Sequence, residues 1–98
     1  MKRSSSHLTS YKVFLSKSAV GELISLDKKI QDRIKSTLKI LEKDPFQTSL
    51  DIKKVISNKN PPVYRIRVGD YRATYSIIKQ RILISKIFNR KKGYKWME

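Results

Sequence analysis

The stretch VYRIRVGDYRATYSII, residues 63–78, decides the fold. Apolar and polar positions alternate on both sides of Gly69-Asp70, and a period of two marks strands with one covered face and one open face. Gly69-Asp70 suits a two-residue hairpin turn, which needs a backbone φ above zero. With that turn, Val68 pairs with Tyr71, Arg67 sits opposite Arg72, and Arg65 lies across from Thr74. Tyr64, Ile66, Val68, Tyr71, Ala73, Tyr75 and Ile77 then occupy one face, which must be the core. Arg65, Arg67 and Arg72 occupy the other.

Working outward, Ile82 to Phe88 is a third β-rich run, reached through Lys79, Gln80 and Arg81. A three-residue loop would put Ile77 opposite Leu83 on the core side and Lys86 beside Thr74 on the basic face. Asn89, Arg90 and Tyr94 would then emerge near the edge that carries Arg72. Upstream, YKVFL at residues 11–15 alternates as a first strand, and Ser16 or Ser18 can cap a helix from Lys17 to about Leu26, with Glu22 in its first turns. Ile30, Ile34, Leu38 and Leu41 recur at helical spacing, and Asp44-Pro45 stops that second helix. Residues 45–62 have no sustained period and read as a connection with a short extended piece at Leu50 to Ile56. Residues 1–10 are polar and serine-rich and read as a flexible tail. The expected fold is α+β, a single small domain over residues 11–98. It consists of an N-terminal strand, an antiparallel helical hairpin and a three-strand antiparallel meander forming one sheet packed on the helices.

Composition narrows the function. A chain of 98 residues supports one modest core and no separate regulatory domain. The absence of cysteine removes disulfides and thiolate zinc sites. No stretch has the make-up of a signal peptide, and no apolar run approaches the roughly twenty residues of a bilayer span. The expected location is the cytoplasm, off the membrane. Twenty-three basic against eight acidic residues give a formal charge of +15, which attracts polyanions, nucleic acid first among them. The charge is lopsided: residues 53–98 hold 13 basic residues against Asp70 and Glu98 alone, so the second half should supply the anion-binding face. A biased genome could account for the lysines. It accounts less well for the arginines.

Like charges directly opposed across two strands cost a few tenths to about one kcal/mol, so Arg67 and Arg72 call for an anion between or above them. A phosphodiester fits, because guanidinium presents a planar fork of donors matched to phosphate oxygens. An isolated Arg-x-Arg reads as a solvated strand face; adding Arg72 and Arg90 turns the reading toward a site. Tyr94 suits either base stacking or packing on the sheet, and Trp96 either core or partner packing. Conventional catalytic sets are missing. His7, the only histidine, lies in the tail, and carboxylate clusters able to hold magnesium are absent from the sequence, so no metal or cofactor is expected. Any RNA cleavage would have to run on arginine, lysine and tyrosine, by aligning a 2′-hydroxyl with the scissile phosphate and stabilising the charge that develops there.

The run YRIRVGDYR, followed by residues 82–88 and by NRKKGY at residues 89–94, closely resembles the core of RelE-type toxins of the RelE/ParE superfamily, over Tyr11 to about Trp96. Within it the archaeal-type branch is the most similar, since the best-known members carry lysine where this chain has Arg65 and Arg67. The resemblance implies a toxin of a type II toxin–antitoxin system, a metal-independent endoribonuclease that cuts messenger RNA in the ribosomal A site by 2′-hydroxyl attack. By position it implies a site of Arg65, Arg67, Arg72, Arg90 and Tyr94. Arg72 and Arg90 would stabilise the phosphate or protonate the leaving oxygen, Tyr94 would stack on a base, and Arg65 with Arg67 would position or activate the nucleophile. Lys86, Lys91 and Lys92 would extend the RNA-binding surface. The implied partners are the ribosome, its message and a cognate antitoxin, whose acidic amphipathic helix would convert a monomer into a hetero-oligomer. Two alternatives stand beside this reading: a ParE-like inhibitor of DNA gyrase without RNase activity, and a non-catalytic basic nucleic-acid-binding module.

Overall fold

A computed structural model describes residues 11–46, 49–56 and 58–89. In chain order these form β1 (Lys12–Leu15), α1 (Lys17–Ile24), α2 (Lys28–Lys43), β2 (Ile52–Ile56), β3 (Val63–Val68), β4 (Tyr71–Ile78) and β5 (Arg81–Asn89). The expected tail at residues 1–10 lies outside the described residues. The strands make one sheet in the order β1-β5-β4-β3-β2, with β1 parallel to β5 and every other pair antiparallel. The fold is α+β, as the sequence implies.

Both helices end up in one core with the sheet because their apolar stripes need it. Ala19 and Leu23 from α1 and Ile34, Leu38 and Leu41 from α2 are buried against Ile66, Ala73, Tyr75, Ile82, Ile84 and Ile87. Ser16 starts α1: its Oγ accepts from the Ala19 backbone N–H at 3.0 Å and donates to the Ser85 carbonyl at 2.9 Å, fixing the helix to β5 as well as capping it. The helix stops at Ile24, two residues before the expected end, yet Leu26 still packs on the core.

Two carboxylates close the sheet where strand pairing runs out. Glu42 Oε2, near the end of α2, accepts from the Val13 N–H at 2.8 Å, and its backbone carbonyl accepts from the Tyr11 N–H at 2.9 Å. Glu22 Oε1 accepts from the Ile87 N–H at 2.8 Å, just past the end of the β1–β5 ladder. An unpaired strand edge invites pairing with another chain, and a carboxylate bonded to it supplies both a partner and a repelling charge. Removing the acceptor would leave the half-buried Val13 N–H short of a partner, so Glu42→Ala is expected to destabilise the domain by about 1–2 kcal/mol. The urea midpoint should fall with an unchanged slope, and an unchanged midpoint would show that the contact contributes nothing.

The meander is longer than the sequence indicates. The extended piece at Leu50 to Ile56 is a full edge strand, β2, pairing Ile52 with Ile66 and Lys53 with Arg65 before a bulge between Lys54 and Ile56. The β4–β5 register also differs from the three-residue-loop expectation. Lys79, at φ 58°, and Gln80 alone make the turn, so Ile78 pairs with Arg81, Ile77 with Ile82 and Ser76 with Leu83. Leu83 therefore leaves the core and is exposed on the opposite face. A bulge at Ser85 then restores the alternation, and Lys86 arrives opposite Thr74 after all. Ser85 Oγ lies 3.0 Å from Thr74 Oγ1 and donates to the Thr74 carbonyl at 3.2 Å, which pins the bulge.

Candidate functional site

The β3–β4 hairpin has the register its sequence implies: Val68 pairs with Tyr71, Arg67 with Arg72, and Arg65 with Thr74. Gly69, at φ 61°, stands at the first central position of the turn, where a primed hairpin turn requires the left-handed region. Alternation then delivers Arg65, Arg67, Arg72 and Thr74 to the sheet face away from the helices, beside Lys53 of β2. The three arginines differ in accessibility. Arg65 and Arg72 are buried, while the Arg67 side chain is 43% exposed and is the most accessible of the three.

The like charges are held together by a group that the sequence reading missed. Asp51, one residue before β2, takes Arg65 Nη2 at 3.5 Å on Oδ1 and Arg67 Nη1 at 3.9 Å on Oδ2. Its carbonyl accepts from the Arg67 backbone N–H at 3.0 Å, so backbone and side chain fasten the same corner. Arg67 Nε donates to the Gly69 carbonyl at 3.3 Å, bending the side chain back over the turn. Asp51 thus offsets part of the repulsion, and one carboxylate for several guanidiniums leaves the face strongly positive. Lys53 was missed for the same reason as Asp51: both positions depend on β2 pairing with β3.

Lys86 occupies the expected register, but its ammonium reaches α1, 3.8 Å from Glu22 Oε2 and 3.3 Å from Ser18 Oγ. Asn89, the last residue of β5, pairs with Tyr71 beside Arg72. Arg90, Lys91, Lys92 and Tyr94 lie outside the described residues, as does Trp96. Among the described residues no group of His, Cys, Asp or Glu could hold a metal ion, and no helix is long and apolar enough to cross a membrane.

At the far end of the same face from the hairpin turn, Phe14, Ile78 and Leu83 are exposed around a shallow hollow with Arg81. The sheet face is therefore graded, apolar at one end and basic at the other.

This architecture has close counterparts. The sequence model of the ParE toxin of the type II toxin–antitoxin system matches residues 13–94. One chain of the archaeal RelE–RelB complex from Pyrococcus horikoshii OT3 superposes with a TM-score of 0.74 at 32% identity, over 86% of this chain and 99% of that one. One chain of the RelB–RelE complex from Methanococcus jannaschii follows at 0.70 and 28% identity, over 87% and 99%. A free-state mutant of E. coli RelE shares the fold, with a TM-score of 0.68 at 17% identity over 91% and 93%. No protein with a curated description matches in sequence. A family match spanning most of the chain, and an archaeal RelE–RelB relative that it covers almost end to end, make this protein a RelE-type toxin of the family of ParE toxins of type II toxin–antitoxin systems.

Proposed function

We propose that the protein is a ribosome-dependent endoribonuclease that cuts messenger RNA in the A site and so inhibits translation. The observation that carries this reading is the convergence of Arg65, Arg67 and Arg72 on one sheet face, with Arg67 and Arg72 directly opposed. In the cleavage step the 2′-oxygen attacks phosphorus, loses its proton and displaces the 5′-oxygen, which gains one; the products are a 2′,3′-cyclic phosphate and a 5′-hydroxyl. Negative charge builds on the non-bridging oxygens, where fixed guanidiniums are worth most. Arg72 and Arg90 stabilise that charge or protonate the leaving oxygen. Arg65 and Arg67 position or activate the nucleophile, and Tyr94 stacks on a base. With no histidine among the described residues and arginine too firmly protonated to act as a good base, positioning by the ribosome has to supply much of the acceleration.

The cognate partner is an antitoxin, by analogy with the RelE–RelB complexes from P. horikoshii and M. jannaschii. An acidic amphipathic helix suits the graded face: its apolar side meets Phe14, Ile78 and Leu83 while its acids meet the arginines.

The test is primer extension on a defined message with purified protein, with and without programmed ribosomes, for wild type, Arg72→Ala and Arg90→Ala. Cuts should appear only with ribosomes, at the A-site codon, and vanish in both variants. An intact message in every lane overturns the enzyme reading. The matched family is named for ParE, so gyrase inhibition is the second reading, and a supercoiling assay then decides it.

A further inference from the structure

We propose that the cleft between α2 and the β3–β4 turn is a second phosphate subsite, anchored by Arg33, which takes a phosphodiester of the same RNA strand that the arginine face engages. The cleft, of about 560 Å³, is lined by Arg33, Ser36, Ser49, Asp51, Arg67 and Gly69 among others. Two guanidiniums converge there on one glycine. Arg67 Nε bonds the Gly69 carbonyl, and the Arg33 guanidinium stands 3.2–3.5 Å from where a Cβ on Gly69 would be. Glycine at this position therefore meets two demands, a positive φ and room for Arg33.

The two acids that line the cleft are already engaged. Asp32 pairs with Lys28 at 3.8 Å, and Asp51 is shared between Arg65 and Arg67. Arg33 has no carboxylate partner among the described residues. Around this corner Lys28, Arg33, Arg65 and Arg67 stand against Asp32, Asp51 and the turn's Asp70, which leaves one net positive charge. The exposed hydroxyls of Ser36 and Ser49 add neutral donors, so a guanidinium fork with hydroxyls beside it matches a phosphodiester's two free oxygens. Arg67 borders both the cleft and the arginine face, so one strand can pass from the site of cleavage around the turn to Arg33. That continuity favours RNA over an acidic peptide as the occupant.

The inference rests on the RNA-cleaving reading, and length dependence separates the two. Binding of uncleavable 2′-O-methyl oligonucleotides, a dinucleotide and an octanucleotide, is followed by fluorescence anisotropy across a salt series, with the intact chain. In Arg33→Ala the octanucleotide-to-dinucleotide affinity ratio should fall about fivefold, and the octanucleotide's log–log salt slope should shrink by about 0.7, one single-strand phosphate contact. Arg33→Lys should restore the slope but only part of the affinity. Lys39→Ala, which removes one exposed charge elsewhere on α2, is the reference for a loss of net charge alone. An Arg33→Ala effect no larger than that of Lys39→Ala overturns the subsite. So does an effect seen only with an Asp/Glu-rich peptide, or only with ribosomes. If Arg67→Ala and Arg72→Ala bind both oligonucleotides as wild type does, the cleavage reading falls, and the cleft is still judged by Arg33 alone.

Discussion

Arg67→Ala is expected to lower ribosome-dependent cleavage by a factor on the order of 10²–10³ while leaving the fold intact, since removing one preorganised charge-stabilising donor costs about that much. Arg67 is the accessible arginine of the face, and its links to the protein are weak: an Nη1–Asp51 separation of 3.9 Å and one 3.3 Å bond to the Gly69 carbonyl. Exposed ion pairs contribute about 0–1 kcal/mol, and removing Arg67 also relieves its opposition to Arg72, a similar quantity of opposite sign. Stability should therefore change by less than about 1 kcal/mol. Arg67→Lys should recover only part of the activity, because an ammonium keeps the charge and loses the fork.

Arg65 should behave differently. Its side chain is 9% exposed and its carboxylate partner is Asp51, so Arg65→Ala removes buried packing and stability falls along with activity. Measured together, melting temperature and cleavage rate sort the arginines into those that act on RNA and those that hold the corner. Full cleavage by Arg67→Ala would remove the central support for the proposed site.

The contrast between those two arginines marks the limit of what the sequence could disclose. The hairpin was legible because its information is local: alternation on both strands, a glycine at the turn, and a register that follows by counting from residue 69. β2 was not legible as a paired strand because its stability comes from β3, and its exposure pattern does not alternate. Asp51 sits 14 residues before Arg65, so nothing in spacing could join them until that pairing was known. β5 illustrates a different failure. Lys79 adopts a left-handed conformation that sequence rules reserve for glycine or asparagine, which shortens the turn by a residue and turns Leu83 outward. The compensating bulge at Ser85 then returns Lys86 to its anticipated partner.

Tyr75 gives the largest effects expected on stability, in opposite directions for two substitutions. It is fully buried at the centre of the core, stacked on Tyr64 with centroids 5.6 Å apart, and its hydroxyl has no hydrogen-bond partner among the described residues. Tyr75→Ala should cost about 3–5 kcal/mol, a large share of a small domain's total stability. Tyr75→Phe should instead stabilise by about 1 kcal/mol, since it removes a buried polar atom that lost its water and gained nothing. Burial, and secondarily the neighbouring Tyr64, push the Tyr75 ionisation well above its ordinary value of 10.0. The folded chain therefore keeps this proton after the unfolded chain has released its own. That contribution is fully present below about pH 10 and is lost as pH rises further, at up to about 1.4 kcal/mol per pH unit. Phenylalanine has no proton to lose, so the advantage of Tyr75→Phe over wild type should widen between about pH 8 and pH 11. Urea denaturation of both proteins at the two pH values measures this directly, and differencing the pair cancels the lysine titrations they share. A phenylalanine variant less stable than wild type at about pH 8 would mean that the hydroxyl has a partner after all, and an advantage that stays constant with pH would mean that the buried hydroxyl ionises like an exposed one.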